Sequence, residues 1–427
     1  MVEAKTKVKR YDTYKNSSVE WLGEIPEHWE VLANKHIFSL KKNQVGKKSD
    51  DYDLLSLTLK GVVVRNLENG GKFPAEFDTY QEVKKGDFVF CLFDVEETPR
   101  CVGLSDFDGM ITGAYTVMEP NENFDKRFLY HYYLNLDADK RMKPLYTGLR
   151  NTISKDNFFA FKTFVPPLTE QTKIAQFLDD KTTKIQDAIT IKDQQIKLLK
   201  ERKQILIHKA VTQGLNPNVT LKDSGVEWIG KIPKHWQILP GFMVYRENKT
   251  KNTGMIQDVI LSLSYGNIVI KPKEKLVGLV PESFETYQIV KPGDIIIRCM
   301  DLQNDKTSLR TGIAVNDGII TSAYLNLNII NNNVSEYVYN FLHSLDTTKV
   351  LYKFGTGLRQ NLNFSDFKHL QIPKPPKEEQ RNIVDYIENI TKKIETAISL
   401  KQQEIEKLKE YKSSLINGVV TGKVKVC

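Results

Sequence analysis

Apolar residues follow a repeating pattern of three-, four- and seven-residue steps in the middle of the chain and again at its end. The first stretch runs from about Thr169 to Gln213, and its apolar residues are Ile174, Leu178, Ile185, Ile189, Ile196, Leu199, Leu206 and Ala210. The second runs from about Lys377 to the C-terminus, and its apolar residues, each 209 positions later, are Ile383, Ile387, Ile394, Ile398, Ile405, Leu408, Leu415 and Val419. This spacing predicts two long amphipathic helices with narrow apolar seams.

Neither predicted helix can leave such a seam in water. From Ile174 to Ala210 the helix rises about 54 Å at roughly 1.5 Å per residue, which is far longer than an ordinary globular helix. We therefore expect each helix to pair with its copy. Lysines interrupt both seams at equivalent positions, and they either fix the register of the pair or extend along its edge towards water. These lysines are Lys192, Lys401, Lys203 and Lys412.

The repeat extends beyond the helices. Residues 19–29 read VEWLGEIPEHW and residues 226–236 read VEWIGKIPKHW, and these segments hold all four tryptophans. Such segments could stack on bases, but the large apolar surface of tryptophan favours packing as anchors at the start of a domain. A proline pair precedes each long helix, and Glu170-Gln171 and Glu379-Gln380 follow within the first turn, as expected for a helix start.

About 130 residues separate each tryptophan segment from its helix, and they contain short β-branched and aromatic runs. The runs predicted as strands are Leu54–Leu59, Val62–Val64, Asp87–Phe93 and Ile111–Val117, then Val259–Ser264, Ile268–Ile270, Asp294–Arg298 and Ile319–Leu327. A short helix is predicted at Phe128–Leu136 and at Tyr337–Leu345. Together these patterns predict two mixed, mainly β globules.

The two globules share a frame but differ in their loops. Gly148-Leu149-Arg150 recurs as Gly357-Leu358-Arg359, whereas Asp94–Asp108 and Asp301–Asp317 have almost nothing in common. A common scaffold with different surfaces is what one chain would need in order to read two different targets.

Composition suits a soluble globular protein with exposed helices. The 427 residues are 40% hydrophobic and 27% charged, with a net charge of +8, which favours an anionic partner only mildly. Neither a membrane-length apolar run nor an apolar signal core is apparent, so we expect a cytoplasmic protein with no membrane partner. The four cysteines have no metal-like spacing and are expected to be reduced thiols.

Sequence motifs predict neither a catalytic site nor a metal site. There is no phosphate-binding loop, and Gly355–Gln360 lacks the third glycine of a dinucleotide fingerprint. The seven histidines form no pair or cluster of metal-ligand type. Asp87 and Asp294 each follow Lys-x-Gly, and an ordinary turn is favoured there over a general acid or metal ligand.

Basic residues in or near the loops are the candidate contacts to nucleic acid. Lysines would neutralise phosphates, and arginines could make bidentate contacts to guanine. The predicted DNA-binding residues are Lys41, Lys42, Lys47, Lys48, Arg65 and Arg150 in the first globule and Lys249, Lys251, Lys271, Lys273, Lys275, Arg310 and Arg359 in the second.

With these features in hand, the sequence resembles the specificity subunits of type I restriction–modification enzymes over nearly its whole length. The resemblance rests on the two tryptophan segments, the Gly-Leu-Arg repeats, the segments at 166–171 and 375–380, and the two long helices in their order. It implies an α+β fold with two homologous DNA-recognition globules separated by an intramolecular antiparallel coiled coil with pseudo-twofold symmetry. The domains expected are 1–165 and 216–374 for target recognition and 166–215 and 375–427 for the spacer helices.

The resemblance also implies the function and the partners. Each globule would read one half of a bipartite, asymmetric site in double-stranded DNA, and the helices would set the spacing and dock two methyltransferase subunits. Restriction subunits would join the full complex. The chain itself would be non-catalytic and without a cofactor, because S-adenosylmethionine and ATP are used by the partner subunits.

Two other functions remain open on the sequence. The paired helices could belong to an adaptor protein whose globules bind peptides, and binding that weakens steeply with salt would distinguish DNA from such a partner. The chain could also be a nuclease or methyltransferase in its own right, although the missing motifs argue against it.

Overall fold

The computed structural model describes residues 9–19, 21–66, 76–272, 283–302, 309–354 and 361–426. The chain divides into two compact units, which are described separately. Unit 1 groups residues 1–191 with 403–427, and unit 2 comprises residues 192–402. Each long helix therefore contributes a part to each unit. The predicted domain boundaries, which give each helix a domain of its own, remain a prediction.

Unit 1 contains a mainly β globule and parts of both long helices. Its strands are β1 Tyr14–Asn16, β2 Glu24–Pro26, β3 Glu30–Ala33, β4 Phe38–Leu40, β5 Leu55–Thr58, β6 Gly61–Val64, β7 Gln81–Val83, β8 Phe88–Phe90, β9 Val102–Leu104, β10 Gly109–Ile111, β11 Thr116–Pro120, β12 Tyr146–Thr147, β13 Thr152–Ile153 and β14 Lys162–Val165. Its helices are α1 Lys126–Ala138, α2 Lys155–Ala160 and the first part of α3 Leu168–Gln213. Described 3-10 helices are Asn34–His36, Gly46–Asp51 and Lys143–Leu145.

Unit 2 repeats most of this order of elements in its described residues. Its strands are β15 Leu221–Asp223, β16 Lys231–Pro233, β17 Gln237–Pro240, β18 Tyr245–Glu247, β19 Leu261–Ser264, β20 Asn267–Ile270, β21 Gln288–Val290, β22 Ile295–Ile297, β23 Thr311–Ile313, β24 Gly318–Ile320, β25 Leu325–Ile329 and β26 Gln371–Lys374. Its helices are α4 Ser335–Thr347, α5 Phe364–Lys368 and most of α6 Lys377–Val420, with 3-10 helices at Gly241–Met243 and Val350–Lys353.

Each globule is built on an antiparallel four-stranded sheet. The strand order is β4-β11-β8-β9 in unit 1 and β18-β25-β22-β23 in unit 2. The hairpins β5–β6 and β19–β20 lie beside these sheets, and the ribbons β3–β14 and β17–β26 pair the third strand of each unit with its last. The predicted α+β class with two homologous globules is confirmed.

Two of the predicted strands are wrong in the same way. Ile111–Val117 and Ile319–Leu327 were each expected to be one strand, but each contains the end of one strand, a turn and the start of another. The Gln81 side-chain amide donates to Tyr115 O at 2.8 Å, and the Gln288 amide donates to Tyr324 O at 2.6 Å. These hydrogen bonds satisfy backbone carbonyl groups in the turns. In a continuous strand, the same carbonyl groups would bond to a neighbouring strand.

The tryptophan segments anchor each globule to the first turn of a long helix. Trp29 is fully buried, and its indole N–H donates to Glu170 Oε1 at 3.2 Å while His28 Nε2 lies 2.8 Å from Glu170 Oε2. In unit 2, the Trp236 indole N–H donates to Glu379 Oε2 at 3.0 Å, and His235 Nε2 lies 2.9 Å from the same oxygen. The expectation that these two tryptophans pack as anchors is confirmed.

The glutamine after each of these glutamates ties the same turn to the globule. The Gln171 side chain accepts from Asp125 N at 2.9 Å and donates to Pro166 O at 2.8 Å. Gln380 makes the equivalent bonds, accepting from Val334 N at 2.9 Å and donating to Pro375 O at 2.9 Å. Both amides are buried, so the repeated Glu-Gln pair is explained by satisfied buried polar groups.

The long helices pair antiparallel within each unit. In unit 1, Ile174 and Leu178 near the start of α3 share a core cluster with Val419 and Val420 at the end of α6. In unit 2, residues at the end of α3 share a cluster with residues at the start of α6: Ile207, Ala210 and Val211 with Ile383, Val384 and Ile387. The predicted intramolecular antiparallel coiled coil is confirmed, with helix bounds within a residue or so of those predicted, except that α6 ends at Val420.

The seam lysines lie at the half-buried edge of the pair. Lys203 Nζ lies 2.8 Å from Glu395 Oε1 in unit 2, and Lys412 Nζ donates to Gln186 Oε1 at 3.3 Å in unit 1. Lys203 and Lys412 are equivalent in the repeat, as are Glu395 and Gln186. The two units therefore use one helix register, although a carboxylate accepts in one and a neutral amide in the other.

A glycine ends the helical path in each unit. Gly214 and Gly422 have φ of +73° and +71°. A Cβ at Gly214 would lie 3.2 Å from the buried Trp236, and one at Gly422 would overlap Pro26, beside Trp29. Glycine readily adopts this left-handed backbone conformation, so the chain can leave the direction of the helix axis where it reaches the anchor. Among the described residues, no helix is both long and apolar enough to cross a membrane.

Candidate nucleic-acid interface

Two positions carry a cation in both globules. Lys42 and Lys249 are exposed and follow β4 and β18. Arg65 and Lys271 follow β6 and β20, and their backbone N–H groups donate at 2.8 Å to Leu54 O and Ile260 O respectively. The shared frame therefore presents a positive charge at the same two places of each globule, as repeated contact with a phosphate backbone would require.

The other lysines of the first globule do not form one uniform basic surface. Lys47 and Lys48 are exposed on the 3-10 helix Gly46–Asp51. The next residues line an open cavity of about 440 Å³, whose acidic residues are Asp50, Asp51, Asp53, Glu82 and Asp108. These carboxylates would repel phosphates, so the surface beside Lys47 and Lys48 is mixed in charge.

Lys41 forms an ion pair that stabilises a turn. Its Nζ lies 2.8 Å from Oδ2 of the buried Asp87, and the same oxygen accepts from Lys84 N at 2.7 Å. In the second globule, Asp294 Oδ2 accepts from Lys291 N at 2.9 Å. The turn interpretation of both Gly-Asp sequences is confirmed, and in this structure the Lys41 ammonium is held by a structural carboxylate.

Arg150 lies in a tight hairpin turn between β12 and β13. Its Nε donates to Asp94 Oδ1 at 3.0 Å, and its terminal Nη2 donates to Asp94 Oδ2. The hydrogen bond with Arg150 lowers the pKa of Asp94, and the hydrogen bond with Asp94 raises the pKa of Arg150. Arg150 remains mostly exposed, so it is oriented by Asp94 and still available to a ligand.

Leu149, beside Arg150, is fully exposed at the tip of this turn. An apolar side chain with no internal packing in a turn that the sequence repeats is a candidate contact that charge alone did not reveal. The signal was present in the sequence, since Gly-Leu-Arg occurs in both copies. The second copy of this motif, with the predicted contact Arg359, lies outside the described residues, as do Lys273 and Lys275.

Arg310 was predicted to contact DNA, and the structure corrects this prediction. The residue is fully buried. Its guanidinium donates to Met300 O at 2.6 Å, to Asp301 O at 3.0 Å and to the Tyr352 hydroxyl at 3.3 Å. The side chain therefore joins loop carbonyls inside the second globule, because a buried guanidinium needs such acceptors.

The remaining candidates in the second globule lie on its surface. Lys249 Nζ forms an exposed ion pair with Glu247 at 2.9 Å, and such surface pairs are weak enough to exchange for a phosphate. Lys251 is exposed and forms an isolated backbone bridge with Gln288. No group of three or more His, Cys, Asp or Glu side chains that could hold a metal ion occurs within the part of the chain that the structure describes.

Comparison with known sequences identifies the family. The sequence model of the type I restriction modification DNA specificity domain matches residues 100–200 and 241–409, which is more than half of the chain. The chain is 23% identical over 434 residues to a putative type I restriction enzyme MjaX specificity subunit of Methanocaldococcus jannaschii, covering 95% of this chain and 96% of the relative. It is also 23% identical over 331 residues to the MjaVIII specificity subunit of that organism, covering 74% and 75%.

Two solved structures share the fold. One, from work on complex assembly and conformational transition of the type I R-M system, has a TM-score of 0.65 at 14% identity, covering 93% of this chain and 98% of the other. The HsdS subunit of Thermoanaerobacter tengcongensis has a TM-score of 0.51 at 16% identity, covering 94% and 98%. With the duplicated globules and the paired helices, these matches show that the chain belongs to the DNA specificity subunits of type I restriction–modification enzymes.

Proposed function

We propose that this specificity subunit, a non-catalytic component of its complex, recognises a bipartite site in double-stranded DNA with one globule on each half. The observation that carries the proposal is that two globules with the same strand order present cations at the same two positions but have different loops. Equivalent cations would hold each globule on the phosphate backbone, and the loops that differ would read different base sequences. The two halves of the site are therefore expected to differ.

Removing two of the cations proposed to contact DNA phosphates should lower both the affinity for DNA and the dependence of that affinity on salt concentration. We expect Lys42→Ala combined with Arg65→Ala to lower affinity for the target duplex by about tenfold or more at low salt, because each cation releases counterions when it meets a phosphate. The slope of log affinity against log salt should fall by about two. Fluorescence anisotropy across a salt series measures both quantities.

The control for this test removes two exposed cations of α3, Lys181 and Lys184. These lie outside the proposed interface and should change neither affinity nor slope appreciably. If the control and the test variant lost affinity equally, the effect would be one of net charge and these two positions would not be contacts.

Leu149 should contribute to DNA binding without contributing to folding. It is fully exposed, and Arg150 beside it is held by Asp94, so the turn presents a fixed apolar side chain that can contact a thymine methyl group or the edge of a base step. Leu149→Ser is expected to lower affinity several-fold and leave the melting temperature unchanged. Ile256→Ser, at another exposed apolar residue, is the matched control, and equal losses in both variants would contradict the assignment.

The outer face of the paired helices supports a second part of the proposal, the docking of methyltransferase subunits. In unit 2, Leu198, Ile205 and Leu400 are 61%, 55% and 55% exposed. In the antiparallel register of the pair, in which Lys203 lies against Glu395, Leu198 is opposite Leu400, so both leucines flank one side of the seam. Exposed leucines side by side on a helical pair are typical of a docking surface.

Unit 1 has an exposed apolar residue at an equivalent position, as expected if two copies of one partner dock on the chain. Ile191, the repeat equivalent of Leu400, is 53% exposed. We propose that two methyltransferase subunits dock on the helices, that they supply the reaction with S-adenosylmethionine, and that ATP-dependent restriction subunits join the full complex. The chain would then act in the cytoplasm without a cofactor of its own.

A further inference from the structure

An open cavity of about 340 Å³ lies in unit 1 where the globule meets the two long helices. Its apolar wall includes Leu134 of α1, Ile189 of α3 and Ile416 of α6, and its cations are Arg100, Lys409 and Lys412. None of the described residues that line it carries a carboxylate. We call this the corner cavity.

Two of these cations are poorly neutralised. Lys412 Nζ donates to the neutral Gln186 amide at 3.3 Å, and burial together with the charge of Arg100 lowers the pKa of Lys412. Arg100 Nε is buried and has no hydrogen-bond partner among the described residues, while its Nη2 donates to Leu59 O at 3.4 Å. A desolvated donor without an acceptor is costly, so the arrangement favours an acceptor from outside the chain.

The repeat shows that this charge imbalance is specific to unit 1. The equivalents of Lys412, Gln186 and Arg100 in unit 2 are Lys203, Glu395 and Leu309. There, Lys203 Nζ lies 2.8 Å from the Glu395 carboxylate. The same corner is thus neutralised within the chain in unit 2, whereas in unit 1 the carboxylate is absent and a second cation replaces a leucine.

We propose that the corner cavity binds a carboxylate carried by an acidic side chain of the partner subunit, with an apolar neighbour against Leu134 and Ile189. This inference rests on the proposed docking of a methyltransferase subunit. Lys412 and Arg100 supply charge-assisted donors, and their half-buried setting strengthens the attraction relative to water. Apolar walls around half-buried cations suit an amino-acid side chain better than the hydrated track of a phosphate backbone.

The most direct test introduces into unit 1 the carboxylate that unit 2 has at the equivalent position. Gln186→Glu places a carboxylate beside Lys412 within the chain and should neutralise the cavity before the partner arrives. The dissociation constant of the methyltransferase subunit that docks on unit 1, titrated onto the full-length chain, should rise about fivefold or more, since a charge pair at that interface is lost, whereas the site on unit 2 should keep its affinity. The melting temperature of the free chain should be unchanged or slightly raised, which separates this effect from misfolding. Lys412→Met, which keeps most of the apolar stem, should weaken the complex similarly.

The matched control is Glu395→Gln, the reciprocal change in unit 2, which should leave the affinity for the partner within about twofold. If Gln186→Glu and Lys412→Met weakened the complex no more than this control, the inference would be wrong while the docking proposal stood. If the wild-type chain failed to bind the methyltransferase subunit at all, both would be overturned. Loss of affinity for a DNA duplex with unchanged affinity for the partner would assign the cavity to a phosphate and also overturn the inference.

Discussion

Exchange of residues 30–165 for the corresponding segment of a related specificity subunit should change one half of the recognised DNA sequence and leave the other half as it was. Each unit has its own four-stranded sheet and its own core cluster. A globule that folds on its own frame should carry its base contacts with it. The effect is therefore a complete change of specificity in one half-site, not a graded loss of affinity.

The structure shows why these boundaries suit the exchange. Strand β3, from Glu30 to Ala33, pairs antiparallel with β14, from Lys162 to Val165, so both ends of the segment lie in one ribbon. Trp29 and Glu170, which form the anchor, lie outside the exchanged segment and are therefore kept from this chain. The exchanged segment includes α1, which shares a core cluster with Ile174 and Leu178, so within that segment the buried α1 residues of the cluster should be kept as they are in this chain.

Genome-wide mapping of methylated bases in cells carrying the exchanged subunit and its methyltransferase gives the result. Exchange of residues 237–374, which lie between the ends of the β17–β26 ribbon, is the matched control and should change only the other half-site. If either exchange altered both half-sites together, the proposed division of labour between the globules would be wrong.

The features best predicted from the sequence are those with a long period or a repeated motif. The apolar seams predicted both long helices, because an amphipathic period sustained over many turns has few alternative explanations. The role of the anchor tryptophans could be predicted from the sequence, but their hydrogen-bond partners could not. No local pattern states that Trp29 and Trp236 donate to Glu170 and Glu379, because those residues are more than a hundred positions apart in the chain.

The strands were predicted less well because strand propensity depends on distant neighbours. Residues 111–117 look like one strand in composition, yet the turn within them is held by the Gln81 side chain from another strand. The site shows the same limit. Arg310 resembles the exposed basic candidates in sequence, but it is buried where Cys101 lies in the first globule, and nothing in the charge pattern distinguishes the two situations.

A charge placed in the helical seam should destabilise the chain far more than the same charge two residues away. Ile196 is 7% exposed in unit 2, whereas Leu198 is 61% exposed on the same helix. Ile196→Asp removes a packed side chain and buries a carboxylate without a partner, which should cost about 3–5 kcal/mol. For a unit of this size the melting temperature should fall by about 10 °C. Leu198→Asp should change it by no more than about 2 °C.

Ile405→Asp, at the repeat-equivalent position in unit 1, provides the second arm of this test. Ile405 is 4% exposed, so the loss of stability should be similar. Ile189 is a weaker site for the same experiment, because it lines the corner cavity and a carboxylate there could pair with Lys412. Differential scanning calorimetry of the full-length variants measures the difference. Equal melting temperatures for Ile196→Asp and Leu198→Asp would mean that the seam does not hold the helices together.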